Sequence, residues 1–212
     1  MTTTLPSQSV KNVLERAAQH YSAALSGSLA EKYLEERGIP TWIAAGYGLG
    51  YVSDPLPGDE EYLGRLAIPY ITPAGGVVDL RFRTLGTEGP KYLSRAGAHI
   101  RLYNVAALQK TSPVVAVCEG ELDTVVVDGC LPDIPAVGVP GAAGWQKHFA
   151  LLLADYARVV VVADGDQAGR DFAKKVTGIL NNAVVAPMPE GMDANDVYLR
   201  DGADSLRARI EG

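Results

Sequence analysis

The chain has 212 residues, 47% of them apolar and 21% charged, with a formal net charge of −6. That length allows one large domain or two small ones with a real core, and the acidic balance argues against a protein that simply coats nucleic acid. No apolar run reaches the roughly 18 residues of a membrane span, no Cys/His set has zinc spacing, and the two cysteines, Cys118 and Cys130, are too few for a disulfide framework. The N-terminus lacks the basic-then-apolar layout of a secretory signal, so the expected setting is the reducing cytoplasm, away from membranes.

The charge is unevenly spread. Residues 1–112 hold 11 Lys/Arg and 10 Asp/Glu, whereas residues 113–212 hold 8 and 15. The chain is therefore read as two parts, an N-terminal helical and β basic subdomain over 1–112 and an acidic α/β domain over 113–212. VLERAAQHYSAAL (13–25) has helical spacing. Ser28 and Glu31 form a capping pattern ahead of LAEKYLEER, which Gly38 closes, and Pro40 opens a short helix, TWIAAGYG. After a loop rich in Pro, Gly and acids, the period changes. RLAIPYI, TPAGG and VVDLRFRTL read as a hairpin with a glycine-containing turn. Arg81 and Arg83 alternate with Leu80 and Phe82, which puts both arginines on one strand face. GPKYLSR follows as an extended piece. Within 65–101 the six basic residues Arg65, Arg81, Arg83, Lys91, Arg95 and Arg101 face only two acids.

From Pro113 onward strands and helices alternate. VVAVC (114–118), IPAVGVP (134–140), ARVVVVAD (157–164) and NAVVAPMP (182–189) read as strands. ELDTVVVDG, GWQKHFALLLADY, QAGRDFAKKVTGIL and DANDVYLRDG read as the helices between and after them. Continuous β-branched runs at this spacing predict a parallel sheet covered by helices.

Three of these strands run into acids: Glu119, with Asp123 one turn on; Asp164 and Asp166; and Asp193 and Asp196. In open parallel sheets, ligands bind beyond the carboxyl ends of the strands, so the three groups share one rim. Clustered carboxylates repel unless a cation neutralises them, and an all-oxygen set suits magnesium or manganese rather than zinc. Such a site can bind phosphate oxygens and stabilise charge developing on them. Taken singly, each acid also has a plain structural reading. Glu119 can serve a helix N-terminus, Asp164 and Asp166 an Asx turn, Asp123 a cap, and Asp193 and Asp196 the first turn of a helix. Arg81 and Arg83 can form an ordinary solvated face. Cys118 reads as core, and GVPGAAG (138–144) as a tight connection without the Lys and Ser/Thr of a P-loop.

EGELD (119–123) followed by VVADGDQAGRDFA (161–173) resembles the TOPRIM domain of bacterial primases, topoisomerases and some nucleases. The DGDQAGRDFA run and DANDVYLRDG resemble the DnaG-type primases most. YLEERGIPTWIAAGYGLGYV (33–52) and RLAIPYITPAGGVVDLRFRTLGTEGPKYLSR (65–95) resemble the start and the basic subdomain of the primase RNA-polymerase core. The resemblance implies a TOPRIM-type α/β sheet preceded by a smaller α+β basic subdomain. It also implies synthesis of short RNA primers on single-stranded DNA from ribonucleoside triphosphates, with Mg²⁺ or Mn²⁺ as cofactor. It makes Glu119, Asp164 and Asp166 catalytic and, together with Asp123, Asp193 and Asp196, metal ligands. Arg65, Arg81, Arg83, Lys91, Tyr92 and Arg95 become contacts to nucleotide or nucleic acid. No Cys/His set builds the zinc-binding domain of these primases, so a minimal, phage-like core is expected, with a replicative helicase or a separate template-recognition protein as a further partner. Two other functions share the motifs: a TOPRIM nuclease, and a non-catalytic module that holds single-stranded DNA or a replication partner.

Overall fold

A computed structural model describes residues 5–212, so the first four residues of the expected N-terminal subdomain lie outside it. The chain divides after His99 into two compact units, ahead of the boundary at 112 read from sequence. Residues 100–112 side with the second unit for physical reasons. Leu102 is buried in that unit's core, Tyr103 exchanges backbone hydrogen bonds with Gly138, and the Lys110 ammonium sits 2.7 Å from the buried Asp128 carboxylate.

The first unit begins with α1 (Gln8–Ala23), whose N-terminus is capped by the Ser7 hydroxyl and whose inward face carries Leu14, Ala17, Ala18 and Tyr21. Helices α2 (Leu29–Glu35) and α3 (Thr41–Gly46) follow. The Ser28 hydroxyl accepts from Ala30 and Glu31 N–H, as expected of a cap. The Glu31 carboxylate reaches Gly27 N–H and the Thr41 hydroxyl, tying α2 to α3. Strands β1 (Gly50–Tyr51), β2 (Leu66–Ile71), β3 (Val77–Arg83) and β4 (Tyr92–Ser94) form an antiparallel sheet in chain order. The β2–β3 turn needs Gly75 at φ 85°. Helix α1 lies so close to β1 that a Cβ on Gly50 would stand 2.4 Å from the Tyr21 backbone. The core on this side centres on Phe82, stacked on the Tyr62 ring at 3.8 Å.

The second unit is a βα alternation: β5 (Val114–Cys118), α4 (Glu121–Cys130), β6 (Ala136–Gly138), α5 (Ala150–Leu153), β7 (Arg158–Ala163), α6 (Gln167–Thr177), β8 (Ala183–Pro187) and α7 (Ala194–Glu211). All strand pairs are parallel, in the order β6-β5-β7-β8. The expected parallel sheet flanked by helices is therefore present. The helix expected over 144–156 is reduced to a 3-10 turn and the four residues of α5. Trp145, Phe149 and Leu153 are buried there, whereas Leu151 is 78% exposed, so only part of that apolar run serves the core. Helix α7 is interrupted at Gly202, whose φ of 82° only glycine adopts readily. No helix among the described residues is long and apolar enough to cross a membrane.

Candidate active site

The strand order places the site. The chain leaves β5 for β6 on one side and returns to β7 on the other, so the crossovers diverge between β5 and β7, where doubly wound sheets bind ligands. Cys118 pairs in register with Val162. Glu119 and Asp164 thus follow neighbouring strand ends on the same rim.

Close packing of glycines shapes this rim. A Cβ on Gly165 would stand 1.8 Å from the Pro189 carbonyl oxygen, and one on Gly169 would stand 2.2 Å from the Asp164 carbonyl oxygen. Both glycines of the DGDQAG run are therefore needed for contact rather than for unusual dihedrals. Gly165 N–H donates to Met192 O at 2.8 Å and Gly165 O accepts from Gly191 N–H at 2.9 Å, which draws the loop after β8 onto the site. On the other side, Gly141 N–H donates to Glu119 O at 2.9 Å. A Cβ on Gly138 would collide with the Thr124 hydroxyl, which itself donates to Gly120 O at 2.6 Å. The GVPGAAG segment is the tight connection read from sequence, and it buttresses the Glu119-Gly120 turn.

The acids follow from this frame. Burial, together with the carboxylates of Asp123, Glu119, Asp193 and Asp166, pushes the Asp164 carboxyl up to about 8. Five acids thus share one electrostatic environment. Asp166 caps α6, accepting Gly169 N–H at 2.8 Å. Asp193 caps α7 and accepts Asp196 N–H at 2.8 Å, while Asp196 accepts Asp193 N–H at 3.1 Å. Asp123 accepts Asn195 N–H at 3.2 Å, linking α4 to the start of α7. Burial and the nearby Asp123 carboxylate push the Cys118 thiol well above its usual range, as befits a core side chain.

Among the described residues, no group of three or more His, Cys, Asp or Glu side chains already stands at metal-holding geometry. The donor set nevertheless fits a hard divalent cation. It is all oxygen, and burial and neighbouring carboxylates together raise the Asp164 carboxyl, a pressure that a cation would relieve.

The basic residues lie in the first unit. The Arg83 guanidinium is buried, donating from Nε to the Tyr33 hydroxyl at 2.8 Å and from Nη1 to the Tyr92 hydroxyl at 2.5 Å. Arg81 lies over the Tyr92 ring at 4.2 Å. Arg65 donates to Pro90 O at 2.9 Å, and Lys91 is exposed. Arg95 pairs with the buried Asp59 carboxylate, which also accepts the Tyr21 hydroxyl at 2.6 Å.

The Toprim domain profile matches residues 114–204. The Gene 57 protein of Mycobacterium phage D29 is 43% identical over 153 residues, covering 70% of this chain and 99% of that protein. A DNA primase of Pseudomonas aeruginosa is 25% identical over 249 residues, covering 93% of this chain and 37% of that one. The solved structure of a DnaG primase catalytic domain bound to single-stranded DNA superposes with a TM-score of 0.75 at 24% identity, over 96% of this chain and 81% of that one. This chain belongs to the TOPRIM family, as a phage-like DnaG-type primase core. It spans little over a third of the P. aeruginosa primase it matches.

Within this primase core, the structure gathers Glu119, Asp123, Asp164, Asp166 and Asp193 around one rim and turns Asp196 back onto the Asp193 amide. It brings Arg81, Arg83 and Tyr92 together and commits Arg95 to Asp59. One neighbour of these groups was not singled out from sequence: Tyr33, whose hydroxyl accepts from Arg83 Nε.

Proposed function

We propose that this primase core synthesises short RNA primers on single-stranded DNA by nucleotidyl transfer from ribonucleoside triphosphates. The observation that carries the reading is the Asp164 carboxyl, raised to about 8 by burial and by the acids around it at the switch point of the sheet. A site so crowded with negative charge is built to hold cations, and phosphoryl transfer is the chemistry such a site serves.

Glu119, Asp164 and Asp166, supported by Asp123, Asp193 and Asp196, hold Mg²⁺ or Mn²⁺ in this reading. The ion, when bound, neutralises the cluster and stabilises charge on the phosphate oxygens. The primer 3′-hydroxyl oxygen bonds to the α-phosphorus of the incoming nucleotide, the bond to the pyrophosphate oxygen breaks, and Glu119 accepts the hydroxyl proton. Arg65, Arg81, Arg83, Lys91 and Tyr92 hold template or triphosphate phosphates. Arg95 supports this surface by fixing the segment after β4 to Asp59.

The decisive experiment is incorporation of labelled ribonucleotides on single-stranded DNA with Mg²⁺ or Mn²⁺. Product that disappears in Asp164→Ala supports the reading. Cleaved template without incorporation, or binding with neither activity, overturns it in favour of a nuclease or a passive binder.

A further inference from the structure

Strand β8 is an outer strand of the parallel sheet, and among the described residues no strand pairs with its far side. Asn182 O accepts Val159 N–H, and Met188 N–H donates to Ala163 O. Successive residues of extended backbone turn their N–H and C=O to opposite sides. The even-numbered residues of β8 therefore serve β7, and the odd-numbered ones point away from the sheet. Ala183 N–H already donates to Leu180 O, and Pro187 has no N–H. The open part of the edge is thus short and centres on Val185, which offers both an N–H and a C=O.

The α6 side of this edge is incompletely covered. Val185 is 43% exposed, although Val161, its register partner on β7, is fully buried. Between α6 and β8 lies a cavity of about 650 Å³, lined on its apolar side by Ala163, Ala173, Val185 and Met188. Arg170 and Lys174, one turn apart on α6, also line it. Arg170 donates to the Gln167 side-chain oxygen. Among the described residues, neither cation forms an ion pair with a carboxylate.

These features together select the occupant. A lone anion leaves most of the volume empty. A nucleotide brings an apolar base but no strand to pair with Val185. An extended peptide satisfies all three: its backbone continues the sheet at Val185, its apolar side chains cover the floor, and its carboxylates meet Arg170 and Lys174. Asp164 and Glu190 line the same cavity and repel carboxylates, which keeps the acidic part of such a peptide toward the Lys174 end.

We propose that the β8 edge and the α6–β8 cavity dock a short, extended, acidic peptide of a partner protein.

The test follows fluorescence anisotropy of a fluorescein-labelled hexapeptide, EVDVVD, titrated with the full chain in EDTA at low salt. As a strand this peptide puts two acids and a valine on one face and two valines on the other, beside Val184. The wild type is expected to bind it and to ignore KVKVVK. Lys174→Gln and Arg170→Gln are surface changes with no ion pair to lose. Each keeps the melting temperature and weakens binding about fivefold. Val185→Pro removes the outward N–H and no bond to β7, a place where an outer strand tolerates proline. It weakens binding about fivefold, the loss of one hydrogen bond. Hydrogen exchange of the Val185 N–H, slowed by the peptide in the wild type, reads the strand pairing without any substitution. The proposal is overturned if the wild type fails to bind EVDVVD, if KVKVVK binds equally, if the glutamine variants bind as the wild type does, or if exchange at Val185 is unchanged. Displacement of the peptide by ATP that itself leaves Val185 exchange fast assigns the cavity to a nucleotide and overturns it too. So does a wild-type dimer that Val185→Pro converts to monomer, which assigns the edge to a second copy of this chain. None of these readouts uses nucleotide incorporation, so the docking site and primer synthesis stand or fall separately.

Discussion

Gly165 and Pro189 touch through their backbones: a Cβ on Gly165 would stand 1.8 Å from the Pro189 carbonyl oxygen. The same glycine pairs with Met192 and Gly191, so the turn after β7 and the loop before α7 form one unit. Gly165→Ala is therefore expected to push the Asp193 segment away from Asp164. We predict a loss of about 3 kcal/mol, the upper end for overpacking a tight site, measured by urea unfolding. A variant as stable as wild type would mean that the loop does not need this contact.

The Asp164 carboxyl predicts a pH dependence for the metal-free protein. Its folded value is raised to about 8, whereas an unfolded Asp titrates near ~3.9. Between these values the folded state binds more protons than the unfolded one, so stability is highest at the acid end and falls as pH rises toward about 8. Thermal melts in EDTA should show this decline, and Asp164→Asn should flatten it. Added Mg²⁺ should raise the melting temperature most at the alkaline end, where the cluster is fully ionised. A Mg²⁺ effect independent of pH would separate the cation from Asp164.

The cap that Asp166 supplies and the metal role proposed for it can be parted by one substitution. Its side chain caps α6 through Gly169 N–H, and Asn caps nearly as well as Asp. Asp166→Asn should thus keep the melting temperature while weakening Mg²⁺ binding, followed by calorimetric titration. Asp166→Ala should lose both, with about 1 kcal/mol of stability from the cap. Equal metal affinity in wild type and Asp166→Asn would reduce this residue to a cap.

Arg95 should behave unlike the other basic residues of the first unit. Asp59 is 2% exposed and relies on Arg95 and the Tyr21 hydroxyl. Removing one partner of a buried pair leaves the other charge uncompensated, a cost of roughly 3 kcal/mol. Arg95→Ala should lower stability in denaturant titration while the remaining folded protein binds oligothymidylate with the wild-type salt slope. A reduced slope would show that Arg95 also meets phosphate.

The parallel sheet was readable because its strands are continuous β-branched runs, a signal carried by side-chain identity alone. The acids were readable as a group because topology sends every strand end of such a sheet to one rim. Arg83 and Arg95 show the limit. Both are cations in a basic stretch, and only the fold reveals that one is buried between tyrosines and the other is paired with Asp59. The same limit applies to Asp166, Asp193 and Asp196, whose caps depend on which backbone amides lie within reach. The boundary after His99 was hidden because Leu102 and Tyr103 join the second unit from a segment with no regular period.

The division of the chain has an evolutionary corollary. All six acids stand in the unit that begins at Ile100, and Arg65, Arg81, Arg83, Lys91 and Tyr92 stand in the unit that ends at His99. Each unit has its own sheet and its own apolar core. Substitutions on the basic sheet of one can therefore accumulate without disturbing the carboxylates of the other. A lineage is free to vary its basic sheet while its carboxylate rim stands still.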